Sequence, residues 1–428
     1  MATRSVPVER PAAIAPSKAR YWVVFFAVTL AILSYIDRVC ISMAMPVMAR
    51  DLGLTKSQQG LIFSAFGIAY ALFEIPGGWL GDRIGARKVL MRIVLWWSAF
   101  TALTGAMTNF ISLWIVRFLF GAGEAGCFPN ITKAFSAWLP TSERVRAQGT
   151  LWMFARWGGA FTPPLVIAIF RIMDWRSAFV LFGCLGVIWA VFFYRWYRDK
   201  PSEHPAVNSS ELALLAENER NVESHGDVPW GKLLGSKNIW LLWLQYFFLS
   251  YPWYFYITWL PSYLQEQRRL SPEVAAQYAI LPLFFGGLGS LVSGFISNRV
   301  ALVLGSVVRA RQVLACLGFA GGAVLLIVTT RTGDPLYAML AMGLASFCND
   351  LVMPGAWATC MDIGGRYAGT VAGSMNMMGN IAGFVAPAVG GYILQQGGSY
   401  NSFIYTMAAM YVLGFLCWPF IRSDQRLE

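Results

Sequence analysis

Apolar residues run along this chain in stretches of some twenty, and the polar positions between them fall in short, tight clusters. A helix rises about 1.5 Å per residue, so each stretch can cross roughly 30 Å of hydrocarbon, which predicts membrane spans rather than a soluble core. The pattern predicts twelve helices, over 21–46, 57–79, 89–108, 110–131, 147–170, 176–196, 238–262, 274–297, 311–330, 335–358, 367–394 and 400–421. One polar stretch is long. It contains SSELALLAENERNVES, read as a short helix with Asn208 and Glu211 spaced as a cap. The expected organisation is a leader (1–20), a six-helix half (21–196), a central loop (197–237), a second six-helix half (238–421) and a tail (422–428).

Composition narrows the class. The 428 residues are 57% hydrophobic and 13% charged, against about 25% charged in soluble proteins. An all-α, polytopic membrane protein follows, and a soluble enzyme with one anchor is excluded. Most of the 33 Lys and Arg fall on the side that holds both ends and the central loop. That bias predicts cytoplasmic termini, here in a cell inner membrane. The net charge of +11 is therefore an orientation signal, and no nucleic-acid partner is expected. The leader shows no cleavage-site pattern. Seven scattered cysteines make no disulfide framework, and His204 and His225 are the only histidines, both expected to be solvated loop residues. No nucleophile–base pair or metal-ligand spacing appears, so neither an enzyme nor a metal or cofactor site is expected.

The two halves are related. GGWLGDRIGARK (77–88) follows the second span and GFISNRVALVLGSVVRAR (294–311) the eighth. Gly78 precedes Asp82 by four residues, as Gly294 precedes Asn298, and Arg83 and Arg299 follow directly. GAFTP (159–163) and GFVAP (383–387) share a Gly-to-Pro spacing. Matching Gly/Pro interruptions in two halves point to a transporter built around a central site.

Buried charge locates that site. Asp37 and Arg38 interrupt the first span in SYIDRVC. Neighbours on a helix point about 100° apart, so they do not neutralise each other. A charge at mid-bilayer needs a partner or a wet cavity. Arg117 and Glu124, seven residues apart on one face of the fourth span, supply two. The expected result is a four-charge cluster of zero net charge, with a structural lock as the alternative reading. A carboxylate in such a site can take up and release a proton, and a guanidinium grips an organic anion with two hydrogen bonds.

The run Gly78, Asp82, Arg83, Gly85, Arg87 and Lys88 resembles the loop signature of the major facilitator superfamily. YIDR, RFLFGAGEAGCFPN and GTVAGSMNMMGNIAGFVAPAVGGYI resemble its anion:cation symporter branch, which includes sugar-acid and phthalate transporters and, more distantly, sialin. The resemblance implies a monomeric, proton-coupled importer of a small organic anion, such as an aldonate, hexuronate or aldarate. Aromatic or dicarboxylate uptake, or export on the same fold, are the alternatives. It implies proton carriage by Asp37 and Glu124, substrate contact at Arg38, and coupling through Arg117. Tyr35, Tyr70, Trp357 and Asn376 would line the cavity, with helix packing or an interface belt as the plainer reading of the two Tyr and Trp357. Asp82 would cap or pair at a helix terminus, and Arg83, Arg87 and Lys88 would bridge helices or lipid phosphates, all of these contacts breaking as the halves rock.

Arg156 departs from the galactonate-type pattern, which has an uncharged amide there. Facing the cavity it would favour a second substrate carboxylate; otherwise it is an arginine reaching for headgroups. Glu74 is expected to lock the basic signature loop, Asp350 to be a minor proton site, and Asp362 to be structural or gating.

Overall fold

The computed structural model describes residues 15–216, 218, 228–396 and 398–427. Helix starts follow from local chemistry. α1 (Ala19–Leu52) ends at Gly53, whose φ of +64° closes the last turn in the left-handed region. α2 (Lys56–Ile84) opens with a capping box between Thr55 and Gln58, and α3 (Ala86–Thr104) follows after Gly85.

The fourth crossing is not one helix, contrary to the expected continuous span over 110–131. α4 (Phe110–Glu124) stops at Ala125, and α5 (Cys127–Trp138) starts anew after Gly126 at φ +83°. A Cβ on Gly126 would lie 2.7 Å from the Gly77 Cα, so both the conformation and the close approach require glycine. Asn130 stitches the break, its Nδ2 donating to the Gly77 and Gly126 carbonyls at 2.9 and 2.7 Å. The break leaves Glu124 as the last residue of α4.

α6 (Thr141–Phe170) and α7 (Trp175–Trp196) complete the first half. The connecting segment carries α8 (Ser209–Leu215) and α9 (Trp230–Gly235). The second half is α10 (Lys237–Thr258), α11 (Leu260–Ser262) with a π turn over 263–267, α12 (Pro272–Leu304), α13 (Val307–Arg331), α14 (Pro335–Gly364), α15 (Ala368–Gln395) and α16 (Tyr400–Cys417). Taking α4–α5 and α10–α11 as one crossing each, these are the twelve expected crossings. Among them α3 carries three basic residues and α10 is rich in Trp and Tyr.

Both ends and the central segment share one face, called here the terminal face. Asn208 Oδ1 caps α8 at Glu211 N, as its spacing predicted. Glu211 then turns back to α1, accepting from the Ala19 and Arg20 amides and from Arg20 Nη1 at 2.9 Å. At the other end Leu427 N donates to the Ile363 carbonyl at 2.8 Å. His204 is not solvated: it is buried against Trp138 and Trp196, with ring centroids 5.6 and 4.5 Å away. Burial pushes its pKa below the ordinary histidine value. His225 lies outside the described residues.

The halves meet through small residues, as close helix approach in a membrane demands. A Cβ on Gly78 would sit 2.2 Å from the Gly369 carbonyl oxygen, and one on Gly294 3.1 Å from the Arg146 Cα. The two glycines matched in the repeat thus do the same job from opposite halves.

Charge seals the terminal face around them. Asp82 caps α15 across the interface, accepting from Gly369 N (3.0 Å), Thr370 N (2.6 Å) and Thr370 Oγ1 (2.7 Å), with Lys133 Nζ at 3.4 Å. Arg144 and Arg311 both hold Asp362, the latter at 2.6 Å. Arg87 does not cross between halves; its guanidinium binds the Tyr194 carbonyl at the end of α7, and its amide binds Asp199. Arg83 is exposed and lies over the Trp79 ring. The cross-half bridging expected of the whole basic motif therefore rests on Asp82, aided by Lys133.

Among the described residues, the polar and ring contacts between halves run from this face only to the level of Glu74, Arg156 and the Trp157–Phe284 stack. Beyond that level the first half has its own apolar cluster, including Cys40, Met45, Leu113 and Phe179, separate from the large core shared by both halves. Among the described residues, the polar contacts between the halves thus gather at the terminal face. Losing an N-cap costs about 1–2 kcal/mol, so Asp82→Ala should raise the population open at the terminal face roughly 5- to 30-fold. Spin labels at Lys88→Cys and Arg309→Cys, both exposed on that face, should report the longer distance in a background free of native cysteines.

Candidate functional site

Four elements converge near the level at which these contacts stop. Arg38 on α1 directs Nε to Glu124 Oε1 at the end of α4, 2.8 Å away. Ser34, one turn earlier on α1, donates its hydroxyl to the same oxygen. The Arg38 guanidinium is surrounded by rings, with Tyr70 4.7 Å, Phe66 5.2 Å, Tyr35 5.7 Å and Phe128 5.8 Å from its Cζ. Such faces hold a cation without consuming its hydrogen-bond donors. Among the described residues, Arg38 Nη2 has no group to donate to and Glu124 Oε2 none to accept from.

Asp37 points the other way, as the 100° offset requires. It faces Trp97 and Thr101 on α3 within the field of Arg117, and its Oδ1 has no hydrogen-bond partner among the described residues. Arg117 is buried over the Phe120 ring at 4.3 Å, with Nε unpartnered. The expected four-charge cluster is therefore assembled, with a direct ion pair in one arm and a looser, unsatisfied arrangement in the other.

Arg156 fits neither expectation held for it. It is 2% exposed and forms a two-pronged pair with Asp350 across the halves, Nε–Oδ2 2.9 Å and Nη2–Oδ1 3.0 Å. Its guanidinium lies 3.3 Å from the Trp253 ring centroid. It neither reaches for headgroups nor offers a free cation to a second substrate carboxylate in this state. Asp350 is committed to it and is further held by Asn349, which Tyr411 in turn supports.

Two other residues are placed differently from the expectation. Trp357 is fully buried, packed at a tilt against Trp152 and Phe128, and donates Nε1 to the Tyr246 hydroxyl at 3.1 Å. It is a floor behind the cavity, the packing reading. Glu74 does not lock the signature loop. It is buried at the interface and accepts from Asn376 Nδ2 (2.6 Å) and Asn380 Nδ2 (2.8 Å) on α15. Reasoning from the sequence gave no site role to Asn380, Tyr246, Tyr254 or Trp253. The available signal was periodic: Asn376 and Asn380 are one turn apart, and one face of α10 repeats aromatic residues.

The Major Facilitator Superfamily model matches residues 27–387. The chain belongs to this superfamily. Within it, the chain is similar to anion transporters: 36% identical to the probable sulfoacetate transporter of Cupriavidus necator over 95% of this chain and 94% of that protein. It is 32% identical to the hexuronate transporter of Bacillus subtilis over 90% of each. It is 31% identical to the probable galactarate/D-glucarate transporter of Escherichia coli over 96% and 95%. Among solved structures, the superfamily transporter FucP in the outward conformation superposes with a TM-score of 0.73 at 15% identity, over 95% of this chain and 100% of that one. This superfamily member is a transporter, not an enzyme.

Proposed function

We propose that the protein imports a small organic anion together with protons by alternating access, and that Arg38 and Glu124 form the exchange point. The observation that carries this reading is the 2.8 Å Arg38–Glu124 pair, caged in aromatic rings near the level at which the polar contacts between the halves stop. Arg38 cannot give its full fork to both a substrate carboxylate or sulfonate and the Glu124 carboxylate. A proton on Glu124 removes its claim, and the substrate anion takes its place. Substrate and proton thus enter as a unit, and Asp37, close by and incompletely bonded, holds a second proton behind them. The relatives that carry sulfoacetate, hexuronate and glucarate in their names support one shared feature, a compact anionic head. The terminal face is cytoplasmic in this reading, so the form described is ready to load from outside.

The test is uptake of labelled glucuronate, glucarate, galactonate and sulfoacetate into proteoliposomes, with and without an acid-outside gradient. An imposed gradient should raise accumulation of at least one anion about tenfold per pH unit if one net proton is coupled. Glu124→Gln, a neutral mimic of the protonated state, should retain anion exchange with that gain reduced. Accumulation indifferent to the gradient would sink the coupling.

A further inference from the structure

Seven charged side chains gather around the cavity: Asp37, Arg38, Glu74, Arg117, Glu124, Arg156 and Asp350. Four carboxylates thus face three guanidiniums. Arg38 holds Glu124, Arg156 holds Asp350, and Arg117 lies in the field of Asp37. Glu74 is the one left without a cation of its own, since Arg38, whose field reaches it, is paired with Glu124. It makes no ion pair among the described residues, yet it is fully buried. Its surroundings contain charge or titratable groups on several elements: Arg38 on α1, Tyr70 on its own helix, Glu124 on α4, Cys127 on α5, and Tyr246 and Tyr254 on α10. From α15 it meets only the neutral amides of Asn376 and Asn380.

The hydrogen bonds around it have a direction. Trp357 donates to Tyr246, Tyr246 donates to Asn376 Oδ1 at 3.4 Å, and Asn376 donates to Glu74. On the other arm Tyr254 donates to Asn380 Oδ1 at 3.0 Å, and Asn380 donates to Glu74. Both arms end as donors on the Glu74 carboxyl oxygens, the arrangement that suits the ionised form. A protonated Glu74 would instead present an O–H, and one amide would have to turn and accept it. The tyrosine behind that amide would then accept in its turn.

We propose that Glu74 is a further proton-binding site of the transport cycle, read by the opposite half through reversal of one Asn376 or Asn380 arm. The inference rests on the proton-coupled reading above. An entering anion adds negative charge to a cavity that already holds one carboxylate too many, and a proton on Glu74 removes the excess. Because both of its partners lie across the interface, its protonation state bears directly on the grip between α2 and α15.

The test separates this inference from that reading. Infrared difference spectra of the protein in lipid vesicles, titrated from about pH 5 to about pH 9 without substrate, should contain a protonated-carboxyl band. Glu74→Gln should abolish that band, Glu74→Asp should shift it, and Glu124→Gln should leave it in place. The proton-to-anion ratio, measured with glucuronate, or with sulfoacetate where glucuronate is not carried, should fall by one in Glu74→Gln while transport continues. A band unchanged in Glu74→Gln, or an unchanged ratio with coupling intact, overturns the Glu74 site alone. Anion transport with no proton movement in the wild type overturns the coupled reading, and the infrared band still decides whether Glu74 titrates.

Discussion

Arg38→Ala should abolish uptake, lowering kcat/KM by at least 100- to 1,000-fold. Two losses add up in that variant. The substrate anion loses its guanidinium fork, and Glu124, fully buried and unbonded at Oε2, loses its cation. Removing one partner of a buried pair costs about 3–5 kcal/mol, and each 1.4 kcal/mol is about tenfold in rate or affinity. Arg38→Lys restores the charge but not the flat, two-pronged donor set, nor the fit within the cage of Phe66, Tyr70, Tyr35 and Phe128. It should recover only part of the activity, chiefly as a raised KM. Initial rates over a substrate series, on protein shown to be folded by its thermal transition, check both variants. Near-normal uptake in Arg38→Ala would move the binding site elsewhere.

The second large effect is on stability. Arg156→Ala or Asp350→Ala should each destabilise the protein by about 3–5 kcal/mol, because each strands its partner's charge between the halves. The double variant Arg156→Met/Asp350→Leu should recover most of the loss, since apolar side chains of similar size are often as good as a buried pair. Thermal unfolding in one detergent ranks the four proteins. The same pair ties α6 to α14, so it must break or travel when the terminal face opens. The double variant should therefore also favour the form opened at that face.

Much of the architecture was legible in the pattern of apolar runs, because a bilayer leaves little choice to a twenty-residue stretch without charges. The repeat was legible too: Gly78 and Gly294 were matched by spacing, and both pack against the opposite half. Asp82 could be read as a helix-end residue, though the helix it caps lies nearly 290 positions away and only the fold supplies it. The break at Ala125–Gly126 was hidden. GEAGCFPN is apolar and small enough to pass as helix, and it is the Gly77 backbone, close against Gly126, that makes room for the turn.

The charged residues divide in the same way. Spacing put Arg117 and Glu124 on one face and turned Asp37 away from Arg38, which is what the molecule shows. It could not pair Arg156 with Asp350, because nothing local distinguishes a cation aimed at lipid headgroups from one aimed at a partner 194 residues away. Glu74 was misassigned for a related reason. It lies in FEIPGG just before the basic signature, and nearness in sequence suggested a partner that α2, as a rigid helix, keeps a full two turns distant.

The central claim is that anion and proton enter together through the Arg38–Glu124 exchange. It is tested most directly by trapping a pH-sensitive dye inside proteoliposomes and adding each candidate anion outside without an imposed gradient. The account predicts that the anion the wild type accumulates also acidifies the lumen, in constant ratio to its uptake, and that Glu124→Gln exchanges the anion with that proton flux reduced. Anion entry with no acidification in the wild type would contradict it.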